Sequence, residues 1–331
     1  MARSAIVSAV VTGGLVAALL SAGDAETPAP ARVAATERPA GTIVFASDSN
    51  RLTAIDVATG RRVARRIRSV PGCGGQLFVT GGHVVFSGEL KRRTTVFSVP
   101  LALDRAPTRL GAAHQFAASA TDGRVWLAGT DCDRTSMHGV REVTVDGQVT
   151  FESDRRVPAE ALAGAVPDGL LVSRRRALGV WDPATGTDRA VGLEWAFGIE
   201  GNMLAGCATG SDCGKFVIVD SASGRTVPVH ASGRRVLEMG GTFSPDGTLL
   251  ATPARMGHRN AVALVNARTG THTIVPGSRT GKIYPDVRWA RSTGWLFIRD
   301  GRRVRAYRPG APRAQTLPIR LPRALMAFTV G

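Results

Sequence analysis

The sequence is poor in the residues that carry metal and nucleophilic chemistry, with four Cys, six His and two Tyr among 331 residues. It has no Cys-x-x-Cys pair, no Gly-x-Ser-x-Gly elbow and no His-Glu-x-x-His motif, which argues against a zinc ribbon, an α/β-hydrolase nucleophile and a zinc protease. Residues 277–282 imitate a phosphate-binding loop, but the segment is one residue too short and Ile283 follows where Ser or Thr is required. We therefore predict no metal site and no cofactor.

Long apolar stretches are absent after residue 25, and short apolar segments separated by Gly, Asp and Asn turns take their place. Many short strands joined by turns are typical of an all-β protein. A strand, an Asp-, Asn- or Gly-centred turn and a second strand recur seven times with a period of about forty residues. This pattern predicts a β-propeller of four-stranded blades. The clearest copies are residues 52–60, 178–186, 216–224 and 262–270.

The first of the seven units is incomplete. Residues 42–47, 52–57 and 61–67 supply three strands, and no innermost strand precedes them. The apolar segment 323–331 has no local partner, and inserting it as the innermost strand of the first blade removes exposed sheet edges. We therefore predict a seven-bladed β-propeller over residues 41–331, closed by the C-terminal strand joining the N-terminal blade. Blades two to seven should begin near residues 76, 114, 162, 194, 237 and 286.

One turn carries a family resemblance. Residues 243–247 read Phe-Ser-Pro-Asp-Gly and are followed by Thr-Leu-Leu-Ala, which resembles the repeat of TolB-type, WD40-like propellers. Partial copies stand at residues 121–123 and 167–169, and a Trp-Asp dipeptide begins at Trp181. Pro fixes φ in such a turn and Gly accepts a positive φ. The resemblance covers most of residues 41–331 and implies a propeller that serves as an interaction platform.

The amino end has the pattern of an export signal, with Arg3, an apolar run over residues 5–20 and small residues over 21–25. We predict a signal peptide over residues 1–25. An uncleaved N-terminal anchor is the alternative, because the run reaches the lower limit of roughly 17 residues for a membrane span when Ser21 and Ala22 are included. A Pro/Ala-rich linker is expected over residues 26–40. The chain is thus predicted to be secreted, or to be attached at the outer face of the cytoplasmic membrane through its N-terminus.

Four cysteines in an exported chain predict disulfides. Cys207 and Cys213 flank a short turn-forming segment and are expected to pair with each other, which leaves Cys73 and Cys132 as the second pair.

The formal net charge is +16, and 39 of the 42 basic residues are Arg. Codon usage in a GC-rich genome explains this excess as well as attraction to an anionic partner does. Export argues against nucleic acid as the partner. When strands are lettered a to d from the channel outward, many basic residues fall in b–c loops and many Asp in the turns of the opposite rim. The predicted ligand-binding set on this basic rim is Lys91, Arg92, Arg93, Arg174, Arg175, Arg176, Arg255 and Arg259.

These patterns favour an exported, monomeric, non-catalytic propeller that acts as an interaction platform at the cell envelope. Its Arg-rich rim would bind an anionic polymer, a lipid surface or a protein. The alternative is a propeller hydrolase or lyase whose residues gather from several blades at the channel mouth. Five single tryptophans favour packing between blades over a platform for a cofactor. They are Trp126, Trp181, Trp195, Trp289 and Trp295.

Overall fold

The chain folds into seven sheets that form an all-β propeller, which confirms the predicted fold class. The predicted signal peptide or anchor and nearly all of the predicted linker lie outside the described residues, and residues 38–331 form one compact unit. The computed structural model describes residues 37–48, 51–67, 77–90, 93–129, 138–157, 159–208, 216–229, 235–238, 240–281, 284–322, 325 and 327–331.

Neighbouring strands in blades two to four run antiparallel and follow one another along the chain, as do the three strands that open blade one. Blade one contains β1 (Thr42–Asp48), β2 (Arg51–Asp56) and β3 (Arg62–Arg66) as strands b, c and d. Blade two contains β4 (Leu77–Thr80), β5 (His83–Leu90), β6 (Arg93–Pro100) and β7 (Thr108–Ala112). Blade three contains β8 (Gln115–Ala118), β9 (Arg124–Gly129), β10 (His138–Thr144) and β11 (Val149–Ser153). Blade four contains β12 (Ala161–Val166), β13 (Gly169–Arg174), β14 (Ala177–Trp181) and β15 (Asp188–Ala190).

The last three blades repeat this order, and all blades begin within two residues of the predicted positions. Blade five contains β16 (Leu193–Glu200), β17 (Met203–Ala208), β18 (Phe216–Asp220) and β19 (Thr226–Pro228). Blade six contains β20 (Arg235–Leu237), β21 (Thr242–Phe243), β22 (Leu249–Met256), β23 (Arg259–Asn266) and β24 (His272–Ile274). Blade seven contains β25 (Asp286–Trp289), β26 (Leu296–Asp300), β27 (Arg303–Tyr307) and β28 (Gln315–Arg320), and β29 (Ala327–Val330) follows it.

The core among the described residues consists of apolar clusters that lie between neighbouring blades, one for each of the seven interfaces. Successive residues of a strand point to opposite faces of its sheet, so each blade contributes to two clusters. Ile43 and Phe45 pack against blade seven, whereas Val44 between them packs against blade two.

Tryptophans fill several of these interfaces, as predicted. Trp126 and Trp181 lie in the cluster between blades three and four, and Trp295 lies in the cluster between blades seven and one. Trp289 is buried between blades six and seven, and its indole N–H donates to the carbonyl of Thr242 in blade six over 3.0 Å. Trp195 is half-buried, with its ring centroid 5.8 Å from that of Phe197.

Ring closure follows the predicted arrangement. Strand β29 pairs antiparallel with β1, and Phe328 lies opposite Phe45 in the register. The amide of Thr42 donates to the carbonyl of Gly331 over 2.8 Å, and the amide of Gly331 donates back over 3.0 Å. Phe328 and Val330 are buried between blades seven and one. Strand β29 is therefore strand a of blade one and part of the core.

The repeated c–d turn has a hydrogen-bond pattern that explains its sequence. In blade one, Asp56 accepts from the amide of Thr59 over 2.7 Å and from its hydroxyl over 2.6 Å. The amide of Gly60 donates to the carbonyl of Asp56 over 2.8 Å, and Gly60 has a φ of 71° that favours glycine. The same turn recurs after Asp182, Asp220 and Asn266.

The Ser-Pro-Asp-Gly sequence forms the predicted a–b turn of blade six. The amide of Gly247 donates to the carbonyl of Ser244 over 2.8 Å, and Gly247 has a φ of 68°. Asp246 accepts from the hydroxyls of Ser244 and Thr248 over 2.5 and 2.9 Å. The partial copies likewise join strands a and b, since they lie between β8 and β9 and between β12 and β13.

The innermost strand of blade six departs from the expected single strand starting near residue 237. It is divided into β20 and β21, which both pair with β22. The buried hydroxyl of Thr252 lies 2.8 Å from the carbonyl oxygen of Glu238 and 2.7 Å from that of Gly240, so it occupies the interruption. Gly241 has a φ of 136°, and a Cβ there would lie 2.2 Å from the carbonyl oxygen of Ala251. Another residue type at this position would collide with the backbone of β22.

Removal of residues 323–331 should abolish cooperative unfolding, because it strips strand a from blade one and exposes the backbone of β1. The milder change Phe328→Ala should cost about 3–5 kcal/mol of unfolding free energy, since it opens a cavity between blades seven and one. Val149→Ala is the control, because Val149 is 54% exposed and its truncation should cost about 0.5 kcal/mol or less. Urea unfolding followed by tryptophan fluorescence measures all three, and a truncated protein that unfolds like the intact one would refute the closure.

The c–d turns should make the fold sensitive to acid. Hydrogen bonds from Thr59 lower the pKa of Asp56 below its ordinary value of 3.8, and hydrogen bonds from Thr185 and Ala184 do the same for the pKa of Asp182. Burial opposes the shift at Asp220, but the hydrogen bonds from Ser223 and Ala222 and the charge of Arg225 together outweigh it, so the pKa is again lowered. A folded-state pKa below the unfolded value gives stability that is present above the ordinary pKa and is lost as the pH falls through the folded one.

Blade six provides the matched substitution, because Asn266 makes the same turn without a titratable group. The triple variant Asp56→Asn, Asp182→Asn and Asp220→Asn should remain folded at neutral pH. It should lose less stability than the wild type when the pH is lowered to about 3. Urea midpoints at the two pH values test this, and equal losses in both proteins would contradict it.

Candidate functional site

The antiparallel strand order places the b–c hairpins and the d–a connections on one rim of the propeller, here called the b–c rim. The a–b and c–d turns lie on the opposite rim, here called the a–b rim. The predicted basic set belongs to the b–c rim. Its members Lys91 and Arg92 lie outside the described residues, and Arg93 begins β6.

Three consecutive arginines form the b–c hairpin of blade four. Arg174 pairs with Ala177 across the hairpin, so Arg175 and Arg176 are its two turn residues. The guanidinium of Arg174 is bonded to the carboxylate of Asp188 in strand d of the same blade. The side chain of Arg176 is 90% exposed, and its Nε lies 4.0 Å from Glu194 of blade five. Arg175 is exposed and has no ion pair with any described residue.

Backbone strain distinguishes this hairpin. Arg175 has a φ of 43°, in the left-handed region that costs a side-chain-bearing residue roughly 1–2 kcal/mol. The matching two-residue hairpins of blades six and seven place Gly257 and Gly301 at this position, with φ values of 63° and 57°. Leu103 is the other non-glycine residue with positive φ among those described, but it is 3% exposed and packs between blades one and two. Arg175 has no such compensating burial.

The remaining predicted arginines lie in blade six. The Nε atom of Arg255 is 3.7 Å from Oε1 of Glu238, and the same oxygen accepts from the hydroxyl of Tyr284 over 2.9 Å. Arg259 is exposed and forms no ion pair with the described residues. The b–c rim is therefore less uniformly basic than predicted, because Glu194 and Glu238 near its inner edge each approach one of its arginines.

The channel mouth on the a–b rim holds a charged group that the sequence pattern did not single out. Arg291 in the a–b turn of blade seven reaches Glu200 at the end of strand a of blade five, with Nη2 2.5 Å from Oε2. Asp122 of blade three faces the same mouth, and its Oδ1 accepts from the amide of Gly81 and the hydroxyl of Thr80 in blade two. Four blades thus contribute to one polar group.

The two carboxylates differ in environment. Burial raises the pKa of Glu200, although the charge of Arg291 opposes the shift. The amide of Gly81 lowers the pKa of Asp122 by donating a hydrogen bond to it, and burial opposes this effect without reversing it. Glu200 is therefore the poorly hydrated carboxylate of the mouth, whereas Asp122 is held in its ionised form by donors.

Two cavities adjoin this group. The inner one has a volume of about 180 Å³ and the outer one about 340 Å³, and Arg291 lines both. The outer cavity contacts Thr80, Asp122 and Ser292. The inner cavity is lined by Phe78, Ile199, Glu200 and small residues of blades three and four.

The described part of the chain contains no group of three or more His, Cys, Asp and Glu side chains placed to hold a metal ion. None of its elements is a helix long and apolar enough to cross a membrane. Cys207 is fully buried in β17 and is not a free thiol. Cys73, Cys132 and Cys213 lie outside the described residues, so both predicted pairings stay predictions.

No family model matches the chain, and no curated protein matches it in sequence. Solved structures match it in fold. An acylaminoacyl peptidase in complex with Z-Gly-Gly-Phe-chloromethyl ketone has 10% identity and a TM-score of 0.55, over 83% of this chain and 49% of the peptidase chain. A functionally unknown protein from Desulfotomaculum acetoxidans has 13% identity and a TM-score of 0.50, over 87% of this chain and 99% of that one.

TolB from Acinetobacter baumannii has 13% identity and a TM-score of 0.47, over 88% of this chain and 66% of TolB. Identities this low show the fold alone. Of the resemblance drawn from the Ser-Pro-Asp-Gly turn, the structure therefore shows the seven-bladed propeller fold.

Proposed function

We propose that the protein is an exported, non-catalytic propeller that binds an anionic partner through the arginine hairpins of its b–c rim. The partner would be an anionic component of the cell envelope, namely a polymer, a lipid surface or a protein. Nucleic acid is not expected, because the apolar run at residues 5–20 predicts export.

The observation that carries this proposal is the strained tip at Arg175. The equivalent hairpins of blades six and seven use glycine at this position, and glycine adopts a positive φ at little cost. A charged residue kept in an unfavourable backbone conformation, exposed and without an ion pair to the described part of the chain, suggests a role other than stability. A guanidinium at such a tip is free to bind phosphate or carboxylate oxygens with two hydrogen bonds.

The contacts beside this tip determine which arginine side chains project from the b–c rim. Asp188 holds the guanidinium of Arg174 against blade four, so the charge projecting beyond the hairpin belongs to Arg175 and Arg176. Arg259 adds an exposed charge on the same rim in blade six, with no ion pair to any residue that the structure describes. On the opposite rim, Asp56, Asp182 and Asp220 accept the hydrogen bonds of their own turns, which is a structural role.

The alternative of a hydrolase or lyase finds less support at the channel mouth. No histidine or cysteine is among the described residues that line the two cavities. The hydroxyl of Ser119, which lines the inner cavity, donates to the buried carboxylate of Glu142 over 2.6 Å. That carboxylate also accepts from Arg124 and Thr150, so it forms part of a hydrogen-bond network within blade three.

Replacement of Arg175 by glycine should weaken anion binding without loss of stability. The change Arg175→Gly removes one charge and relieves a strain of about 1 kcal/mol, so the melting temperature should stay the same or rise. Combining it with Arg176→Ser and Arg259→Ser should weaken binding to vesicles of equal parts phosphatidylglycerol and phosphatidylcholine by about 100-fold, at about 1 kcal/mol per charge. Vesicle sedimentation at several salt concentrations measures this, and binding should fall as salt shortens the Debye length below about 10 Å.

The matched control removes the same net charge from the opposite rim through Arg61→Ser, Arg225→Ser and Arg268→Ser, all at exposed positions of c–d turns. This control should bind anionic vesicles nearly as well as the wild type. Equal losses in both triple variants, or binding that salt does not change, would show that the b–c rim is not the docking surface.

A further inference from the structure

One ion pair lies at the a–b mouth of the channel. Arg291 extends from blade seven to Glu200 of blade five and lines both the inner cavity of about 180 Å³ and the outer cavity of about 340 Å³. A molecule that enters from the a–b rim into the inner cavity therefore meets a guanidinium and a carboxylate together.

Both partners of this pair have unused hydrogen-bonding capacity. Only Nη2 of Arg291 contacts an acceptor among the described residues, which leaves Nε and Nη1 free. Only Oε2 of Glu200 accepts a hydrogen bond from the described chain, so Oε1 remains available on a carboxylate that burial has largely removed from water. A ligand that supplies an acceptor to Arg291 and a donor to Glu200 would complete both groups.

The charges around the mouth select against simple ions. Asp122 adds a second negative charge that disfavours an anion beside Arg291, and the charge of Arg291 disfavours a simple cation beside Glu200. Asp122 is fastened to Thr80 and Gly81 of blade two, so it is less free than Glu200 to rearrange around a ligand. A molecule with one charge of each sign avoids both repulsions.

The inner cavity limits the size and polarity of the uncharged part of such a ligand. Its walls are Phe78, Ile199 and small side chains, and a Cβ on Gly164 would lie 2.4 Å from the δ-carbon of Ile199, so that side chain would have to shift. A space of about 180 Å³ between such walls suits one small aliphatic group. The small residues of blades three and four are Ala117, Ala118, Ser119, Ala120, Ala163, Gly164 and Ala165.

We propose that the a–b mouth of the channel binds a small aliphatic α-amino acid, with its carboxylate on Arg291, its ammonium group on Glu200 and its side chain in the inner cavity. This site lies on the rim opposite the arginine hairpins. It is independent of the proposed anion-binding function, and either can fail without the other.

Calorimetric titration of the full chain with alanine, valine and leucine tests the proposal, and at least one of them should bind. For the amino acid that binds best, the N-acetyl derivative and the amide should each bind about tenfold more weakly or worse, because each lacks one of the two charges. Absence of binding by all three amino acids would overturn the proposal. Equal binding of the amide or of the N-acetyl derivative would also overturn it.

Variants locate the site. Arg291→Ala and Glu200→Gln should each reduce affinity by about tenfold or more, since each removes one charge-assisted contact. Ala163→Leu should fill part of the inner cavity and weaken leucine more than alanine. Arg225→Ala, at an exposed c–d turn of the same rim, is the matched control and should bind like the wild type. Thermal melting confirms that each variant is folded, and unchanged affinity in folded Arg291→Ala or Glu200→Gln would place the amino acid elsewhere and refute the site.

Discussion

Apolar contact between neighbouring blades is the interaction on which the rest of this molecule depends. A four-stranded sheet in this chain has apolar side chains on both faces, and neither face is covered within its own blade. Each blade therefore needs two neighbours, and only a closed ring gives every blade both of them. The pairing of β29 with β1 closes that ring, because it completes the sheet whose residues Ile43 and Phe45 cover the exposed face of blade seven.

This arrangement assigns core and surface to different parts of the repeat. Strands supply the inter-blade clusters, whereas turns supply the two rims. Polar residues at the rims can therefore be substituted without disturbing the packing. The turns of the a–b rim use much of their polarity for their own structure, as Asp56 and Asp220 show by accepting hydrogen bonds from residues three positions ahead. The hairpin at Arg175 is built differently, because its charged side chains satisfy no turn and its backbone conformation is unfavourable for them.

Much of the fold follows from the sequence because the features that determine it are local and repeated. The Asp-x-x-Ser/Thr-Gly sequence marks the c–d turn in the printed sequence, as at Asp56 and Asp220. The absence of strand a at the start of blade one could be inferred because the first unit supplies only three strands. The interruption between β20 and β21 was not predicted, since the buried hydroxyl of Thr252 that occupies it belongs to the neighbouring strand.

The candidate sites could be predicted from the sequence only in part. The turn pattern places Arg174 and Arg255 on the b–c rim, but it does not show that Asp188 and Glu238 approach them. Arg291 and Glu200 belong to blades seven and five, with blade six between them, and lie about ninety residues apart along the chain, yet their side chains are 2.5 Å apart. The sequence repeat could not predict this contact, because the repeat defines the strands of each blade and the order of neighbouring blades but not contacts between blades that are not neighbours.

The borrowed strand of blade one also limits when the ring can close during synthesis. Residues 42–66 emerge first, yet their sheet lacks its innermost strand until residues 327–330 are available. For that whole interval β1 presents an unpaired edge. The long separation makes this pairing slow to form, since distant contacts close large loops. A chain that crosses a membrane in the extended state before folding would bring both ends of the ring to the same compartment at nearly the same time.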